Sequence, residues 1–176
     1  MKRLRIVLFL AFILSLCRAG AMMAENSSDP ATQLRPEHLK KLEQTKMKVV
    51  TPSYLPKGFK VYDVKTENNG RFGYSYSITY HGPGGAEIKV NAASGGIGDV
   101  IPDGKYETIK FNNPVFGKGE LYYNKAAGSS PDRITTQWLR SDTKTGMPVF
   151  LIYGSKISSG EAVRIAESLR YLEKQP

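Results

Sequence analysis

Two histidines, His38 and His81, are the residues of this sequence best suited to act as a general base near neutral pH. A serine hydrolase would need one of them beside a nucleophile and an acidic group. His38 lies in a charged segment and His81 beside a Gly-Pro-Gly-Gly turn, so neither belongs to such a motif and both are predicted to be surface residues. With one cysteine in the chain, they are also too few to predict a zinc or other transition-metal site.

The segment Ser-Asp-Thr-Lys-Thr-Gly, residues 141–146, contains two short patterns that resemble signatures of penicillin-recognising serine enzymes. Ser141 and Lys144 form the first pattern, and Lys144 begins the second. In those enzymes the two patterns lie far apart in the chain and meet only in the folded protein. Here they overlap within one short polar segment, which favours a β-turn over a catalytic site.

Two aspartates, Asp99 and Asp103, lie in a glycine-rich loop and would be the candidates for a weak calcium site. An ordinary exposed loop is favoured, because the dense spacing of ligands in a calcium-binding loop is absent. The glycines match neither a dinucleotide fingerprint nor a phosphate loop. No pair of carboxylates is singled out for glycoside hydrolysis, although two could converge in the fold. No cofactor and no catalytic residue is therefore predicted.

Aromatic side chains are the remaining candidates for a binding site. Tyr74, Tyr76 and Tyr80 alternate along one predicted strand, and Trp138 lies in another. One interpretation is that they line a groove for a lipid, a glycan or a peptide. The other is that they form the core layer under the C-terminal helix, with their hydroxyls reaching its rim. The core interpretation is favoured, because any half-buried strand shows this alternation.

Strands and turns that would position these residues occupy most of the chain. Residues 72–81 alternate between large apolar and small polar side chains, which predicts a half-buried strand in an antiparallel sheet. Residues 149–153 are apolar throughout and predict a strand in the middle of that sheet. Before the first long strand, Pro52 and Pro56 interrupt any helix, Gly58 allows a turn with positive φ, and Phe59 begins the core.

Helices are predicted at both ends of this strand-rich region. Residues 35–46 predict a short helix with Pro36 at its first position. Residues 158–174 predict a second helix, which begins with a capping box of Ser158 and Glu161. Its apolar stripe consists of Ala162, Ile165, Ala166, Leu169 and Leu172. The fold class is α+β: a meander-like antiparallel sheet of about six or seven strands, with the C-terminal helix on one face.

The first 21 residues have the composition of a secretory signal peptide: a basic start, the apolar run 6–16 and the small residues Ala19, Gly20 and Ala21. Lipid attachment at Cys17 is disfavoured, because the preceding Leu16 is large. We expect residues 22–34 to be a disordered leader and residues 35–176 a single domain without cysteine. Such a chain would be periplasmic or secreted, with no transmembrane anchor after the leader is removed.

The charge of the chain falls when the predicted leader is removed. The whole chain carries 25 Lys and Arg against 16 Asp and Glu, a net charge of +9. The leader takes four basic residues and no acidic one, so 21 basic residues face the same 16 acids and the net charge becomes +5. A mildly basic exported protein is attracted weakly to anionic surfaces, and nucleic acid is not an expected partner.

Four segments in this order resemble one known family: Tyr-Leu-Pro-Lys-Gly-Phe-Lys-Val (54–61), the predicted hairpin 74–90, the predicted hairpin 137–154 and the ending 157–169. The family is an extracytoplasmic domain of unknown function, often found at the outer end of bacterial membrane proteins, including anti-sigma-factor-like proteins. More distantly, the layout is similar to periplasmic lipoprotein carriers and envelope-stress sensors. The resemblance implies a curved sheet and brings no catalytic residues.

The sequence thus predicts an exported binding or sensing module of the bacterial cell envelope that is not an enzyme. Its partner would be an envelope protein, a lipid or a glycan. One alternative is a periplasmic carrier of lipids or lipoproteins, and another is an envelope hydrolase whose catalytic groups converge only in the fold.

Overall fold

The computed structural model describes residues 29–95, 102, 104–127, 131–137, 139–140 and 148–173. Within these residues the chain forms two α-helices and nine strands. The helices are α1 (Pro36–Glu43) and α2 (Ser159–Glu167), and the strands are β1 (Val50–Pro52), β2 (Lys60–Asn68), β3 (Tyr74–His81), β4 (Glu87–Ala93), β5 (Glu107–Asn113), β6 (Gly117–Asn124), β7 (Arg133–Thr136), β8 (Val149–Ser155) and β9 (Leu169–Tyr171). None of the described helices is both long and apolar enough to cross a membrane.

Seven of the strands form one antiparallel sheet in the order β2-β3-β4-β8-β7-β6-β5. It consists of two meanders, β2-β3-β4 and β5-β6-β7-β8, which meet where β4 pairs with β8. The connection from β4 to β5 therefore leads from the middle of the sheet to its far edge. The prediction of an α+β fold with a meander-like antiparallel sheet is confirmed.

The central strand of the sheet is β8, as its apolar sequence predicts. Val149, Phe150, Leu151 and Ile152 are each at most 1% exposed, so this strand is buried on both faces. Tyr153, which the same apolar run includes, is 41% exposed and does not share that burial. The apolar character of β8 explains why it lies between the two meanders instead of at an edge.

One face of the sheet is covered by α1, α2 and the small antiparallel sheet of β1 and β9. The large residues of β3 point to this face, where they meet apolar residues of the covering elements. The core that results includes Leu42, Val50, Ile78, Tyr80, Ile88, Val90, Ile134, Ile152, Ala162, Ile165, Ala166 and Leu169. The prediction that the C-terminal helix packs on one face is confirmed.

The C-terminal helix is shorter than its apolar stripe predicts. Its capping box forms as expected, with the Glu161 amide donating to Ser158 Oγ at 3.3 Å and the Ser158 amide donating to the Glu161 carboxylate at 3.4 Å. The helix ends at Glu167, however, and Leu169–Tyr171 form β9, which pairs with Val50–Pro52. Leu169 is still buried, because it points inward from a strand.

The N-terminal segment is also more ordered than expected. Residues 22–34 were predicted to be a disordered leader, but Pro30–Gln33 form a 3-10 turn and Leu34 is only 7% exposed. The carboxylate of Asp29 binds the Arg170 guanidinium, which ties this segment to β9. The predicted signal peptide, Cys17 and the rest of the predicted leader lie outside the described residues.

Candidate functional site

The second face of the sheet, which we call the outer face, points away from the helices and carries a row of polar and aromatic side chains. The row follows the register across all seven strands. Its members, from β2 to β5, are Asp63, Thr79, Lys89, Tyr153, Thr135, Tyr122 and Thr108. Adjacent strands lie about 4.8 Å apart, so the row presents side chains at regular intervals across the sheet.

A depression of 400 Å³ lies on the outer face over β2, β3, β4 and β8. The polar and aromatic residues of its lining include Lys65, Glu67, Ser77, Lys89, Asn91 and Tyr153. Serine and asparagine side chains both donate and accept hydrogen bonds, and the lysines donate. The depression can therefore bind a ligand rich in hydroxyl or carboxylate groups.

Tyr62 is exposed near the start of β2 because this strand carries a β-bulge. The register shifts between Val61 and Asp63, which makes Tyr62 the extra residue and leaves it 65% exposed. Its ring lies flat against His81, with the ring centroids 3.8 Å apart and the planes inclined by 14°. The outer surface of the Tyr62 ring thus forms a flat apolar platform at the start of the sheet.

His81 links this platform to the charged residues of β4. Its Nε2 lies 3.2 Å from Glu87 Oε2, and the other oxygen of that carboxylate lies 3.9 Å from Lys89 Nζ. These groups are all partly exposed, with 44% of the His81 side chain open to solvent. The structure confirms that His81 is a surface residue, and it places this histidine beside a carboxylate and a tyrosine ring.

His38 does not lie on the surface, contrary to the prediction from its charged neighbours. It is 4% exposed, and its Nε2 lies 3.0 Å from the guanidinium of Arg35. Because a guanidinium only donates hydrogen bonds, Nε2 can accept in this contact only when the imidazole is neutral. Burial lowers the pKa of His38, and the Arg35 charge lowers that pKa further. The prediction failed because the side chain turns back onto the first turn of α1 instead of pointing outward.

Three of the four aromatic residues of the candidate groove, Tyr74, Tyr76 and Tyr80, are described, and they point to the covered face of the sheet instead of the outer face. Tyr76 and Tyr80 are 2% and 0% exposed within the core, and Tyr74 is half-buried on the same face of β3. Burial strongly raises the pKa of both buried tyrosines. Trp138 lies outside the described residues. Tyr76 and Tyr80 therefore pack as the core interpretation requires, and neither ring is open to a ligand.

The exposed tyrosines are others, which the sequence pattern did not single out. Tyr62, Tyr106 and Tyr153 are the large hydrophobic residues exposed in the described part of the chain. Tyr106 contacts Tyr122 edge to face at 5.1 Å, which places it near the β5 end of the outer face. No local signal marks the bulge at Tyr62. Tyr153 ends an apolar run whose other members are buried, so the sequence does not indicate that its side chain is exposed.

Metal-binding residues are dispersed in the part of the chain that the structure describes. No three of its His, Cys, Asp or Glu side chains are close enough to hold a metal ion. Asp99 and Asp103, the candidates for weak calcium binding, lie outside the described residues, as do Ser141 and Lys144.

Comparison of the chain with protein-family models, with curated proteins and with solved structures found no match. The resemblance to the extracytoplasmic domain family stays a prediction.

Proposed function

We propose that the protein is an exported, non-catalytic binding module of the bacterial cell envelope, and that its outer face binds a glycan. The observation that carries this proposal is the exposed ring of Tyr153 in the lining of a polar depression, together with the exposed ring of Tyr62 stacked on His81 at the end of β3. Export rests on the predicted signal peptide, and a glycan is a polymer that the envelope offers in quantity.

The side chains of the depression match the chemistry of a sugar ring. A pyranose has an apolar face of C–H groups, which packs on the electron-rich face of a tyrosine. Its hydroxyls both donate and accept hydrogen bonds, as do Ser77 and Asn91, while Lys65 and Lys89 add charge for a carboxylate or phosphate substituent. Tyr62 on β2 and Tyr153 on β8 are three strand positions apart, about 14 Å, which suits a short oligosaccharide.

The same lining favours a glycan over an acyl chain, the ligand of the carrier alternative. Most of the side chains that surround the depression are polar or charged, and burying them against hydrocarbon would cost free energy. Tyr76 and Tyr80, which the carrier alternative would place in the groove, are core residues. The hydrolase alternative has no comparable observation in its favour.

Glycan binding is tested with the chain from residue 22 onward on an array of bacterial envelope glycans, followed by calorimetry with the strongest binder. We expect Tyr153→Ala to weaken binding at least tenfold, as the loss of an aromatic contact at a binding site often does. Tyr153→Phe should retain most of the affinity. Lys89→Gln is compared with Lys41→Gln, a matched change on α1, and only the former should weaken binding.

Three results would count against the proposal. Equal affinity of wild type and Tyr153→Ala would remove the outer face as the site. Release of shortened glycan during the incubation would indicate an enzyme. An acyl lipid found by native mass spectrometry of protein purified from its own envelope would favour the carrier alternative.

A further inference from the structure

The two edges of the seven-stranded sheet, β2 and β5, differ in how their outward main-chain groups are used. An edge strand presents unpaired N–H and C=O groups, on which another strand can add. Proteins usually block such edges with bulges, prolines, charges or covering segments. One edge of this sheet is blocked in its first half, and the other is regular.

The β2 edge is blocked by the N-terminal segment. The Val61 amide donates to Gln33 Oε1 at 3.0 Å, and Gln33 Nε2 donates to the Phe59 carbonyl at 3.5 Å. The side-chain amide of Gln33 thus pairs with the edge as the peptide group of a neighbouring strand would. The bulge at Tyr62 disrupts the edge further.

The β5 edge carries no bulge, and among the described residues a side chain caps it at its Asn112 end. Its seven residues pair with β6 without a shift in register, and none is a proline. The Asn112 amide donates outward to Glu167 Oε1 at 3.3 Å, which fixes the direction of the even-numbered amides. Because N–H groups alternate in direction along a strand, the Thr108 and Lys110 amides also point outward. Outside the strand ladders, no hydrogen bond joins either amide to a described residue.

A recess of 710 Å³ lies over β5 and β6 and reaches Glu167 at the β5 edge. Its lining includes Lys110 and Lys118, together with Glu120, Gln137 and Glu167. Lys110 stands on the outermost strand, opposite Glu120 of β6. A residue of an added strand would lie on the other side of Lys110, about 5 Å away, where an acidic side chain is favoured.

We propose that β5 binds an extended, acidic segment of a partner protein by strand addition, at a site separate from the depression over β2, β3, β4 and β8 that the glycan is proposed to bind. The Thr108 and Lys110 amides and carbonyls supply the main-chain hydrogen bonds, and Lys110 selects a carboxylate. A second copy of this chain fits less well, because antiparallel pairing of two β5 strands about Ile109 brings the two Lys110 ammonium groups near each other.

The decisive variant is Lys110→Pro. Proline removes the outward N–H of residue 110 without breaking the ladder to β6, since that amide is not used there. Lys110→Gln is the matched control, because it removes the charge and keeps the N–H. Peptide libraries displayed on phage are selected on the wild-type chain and then compared on both variants, with circular dichroism to verify folding.

The expected result is enrichment of acidic peptides that lose about 10- to 100-fold in affinity on Lys110→Pro, the effect of one or two lost hydrogen bonds. Lys110→Gln should lose about three- to tenfold, the effect of a partly exposed charge pair. If Lys110→Pro does not fold, N-methylation of alternate peptide amides tests the same bonds from the ligand side. Bound peptide should also slow hydrogen exchange at the Thr108 and Lys110 amides.

Two outcomes overturn the proposal. In the first, no peptide is enriched, or the enriched peptides bind Lys110→Pro as tightly as the wild type and N-methylation of their amides does not weaken binding. In the second, the protein forms a concentration-dependent dimer that Lys110→Pro abolishes, which makes a second copy the occupant of the edge. A glycan that binds normally to Lys110→Pro would leave the proposed function intact in either case.

Discussion

The Val50 amide donates a hydrogen bond of 2.7 Å to the phenolic oxygen of Tyr76, and this hydroxyl donates to the Lys48 carbonyl at 3.3 Å. The contact joins β1 to β3 through the core. Burial raises the pKa of Tyr76 well above its usual range, and the hydrogen bond from Val50 opposes that rise. The hydroxyl of Tyr76 therefore stabilises the fold, although the sequence pattern also made this residue a candidate for ligand binding.

Tyr76→Phe and Tyr80→Phe remove one hydroxyl each from the same face of β3 and should have opposite effects. Tyr76→Phe leaves the Val50 amide unpaired in the core and should lower the free energy of unfolding by about 1–2 kcal/mol. The Tyr80 hydroxyl has no hydrogen-bond partner among the described residues, so Tyr80→Phe should be neutral or stabilise the protein by up to about 1 kcal/mol. Urea denaturation measures both, and equal losses would contradict the assignment.

Asn113, which is 1% exposed, holds the C-terminal end of α2. Its Nδ2 donates to the carbonyls of Ala166 at 2.8 Å and Leu169 at 2.9 Å, and its Oδ1 accepts from the Val115 and Phe116 amides at 2.7 and 2.9 Å. Asn113→Ala should cost about 2–3 kcal/mol of stability, because buried carbonyls and amides lose their partners. Asn113→Asp should be at least as harmful, because a carboxylate cannot donate to the carbonyls.

The matched control for this prediction is Asn112→Ala, since Asn112 is exposed and its hydrogen bond to Glu167 uses the main chain. It should change the free energy of unfolding by less than about 0.5 kcal/mol in the same urea series. Comparable losses at the two positions would show that Asn113 does not hold the helix end.

Local patterns predicted the elements of this fold but not where they end or with which neighbours they pair. The capping box at Ser158 is local and was predicted correctly. The end of α2 at Glu167 depends on β1 and on Asn113, which lie more than 50 residues away in the chain. Leu169 and Leu172 fit the spacing of the apolar stripe, so helical periodicity predicts that the helix continues through them. An inward-pointing residue of a strand is equally apolar, and the pattern does not distinguish the two.

The candidate site was harder to predict than the fold, since aromatic residues serve both core and surface. Tyr76 and Tyr80 obey a strand alternation that marks one face without saying which face is covered. Tyr62 is exposed through a bulge, and the sequence carries no sign of that bulge. The pairing of β4 with β8, which brings Lys89 beside Tyr153, joins segments that are more than 50 residues apart.

Gly58 takes the conformation that its turn was predicted to require, with φ of +84°. A Cβ at this position would lie 2.9 Å from Cγ of Pro83, so a side chain meets both backbone strain and a steric clash. Gly58→Val should lower the melting temperature and cost at least about 1–2 kcal/mol from the left-handed backbone alone. Gly84→Ala is the control, because Gly84 has φ of +65° and no atom near its absent Cβ. An unchanged melting temperature for Gly58→Val would contradict the structural role.

His38 should make the stability of the protein depend on pH. Burial, assisted by Arg35, lowers its pKa in the folded state below the unfolded value of 6.5, so the unfolded chain binds more protons at acidic pH. The contribution of His38 to the free energy of unfolding is therefore at its highest above about pH 6.5, and it declines as the pH falls below that value. His38→Gln keeps an acceptor for Arg35 but does not titrate, so its free energy of unfolding should fall less between pH 7 and pH 5. Urea denaturation across that range decides the matter, and parallel curves for the two proteins would show that His38 is not the group responsible.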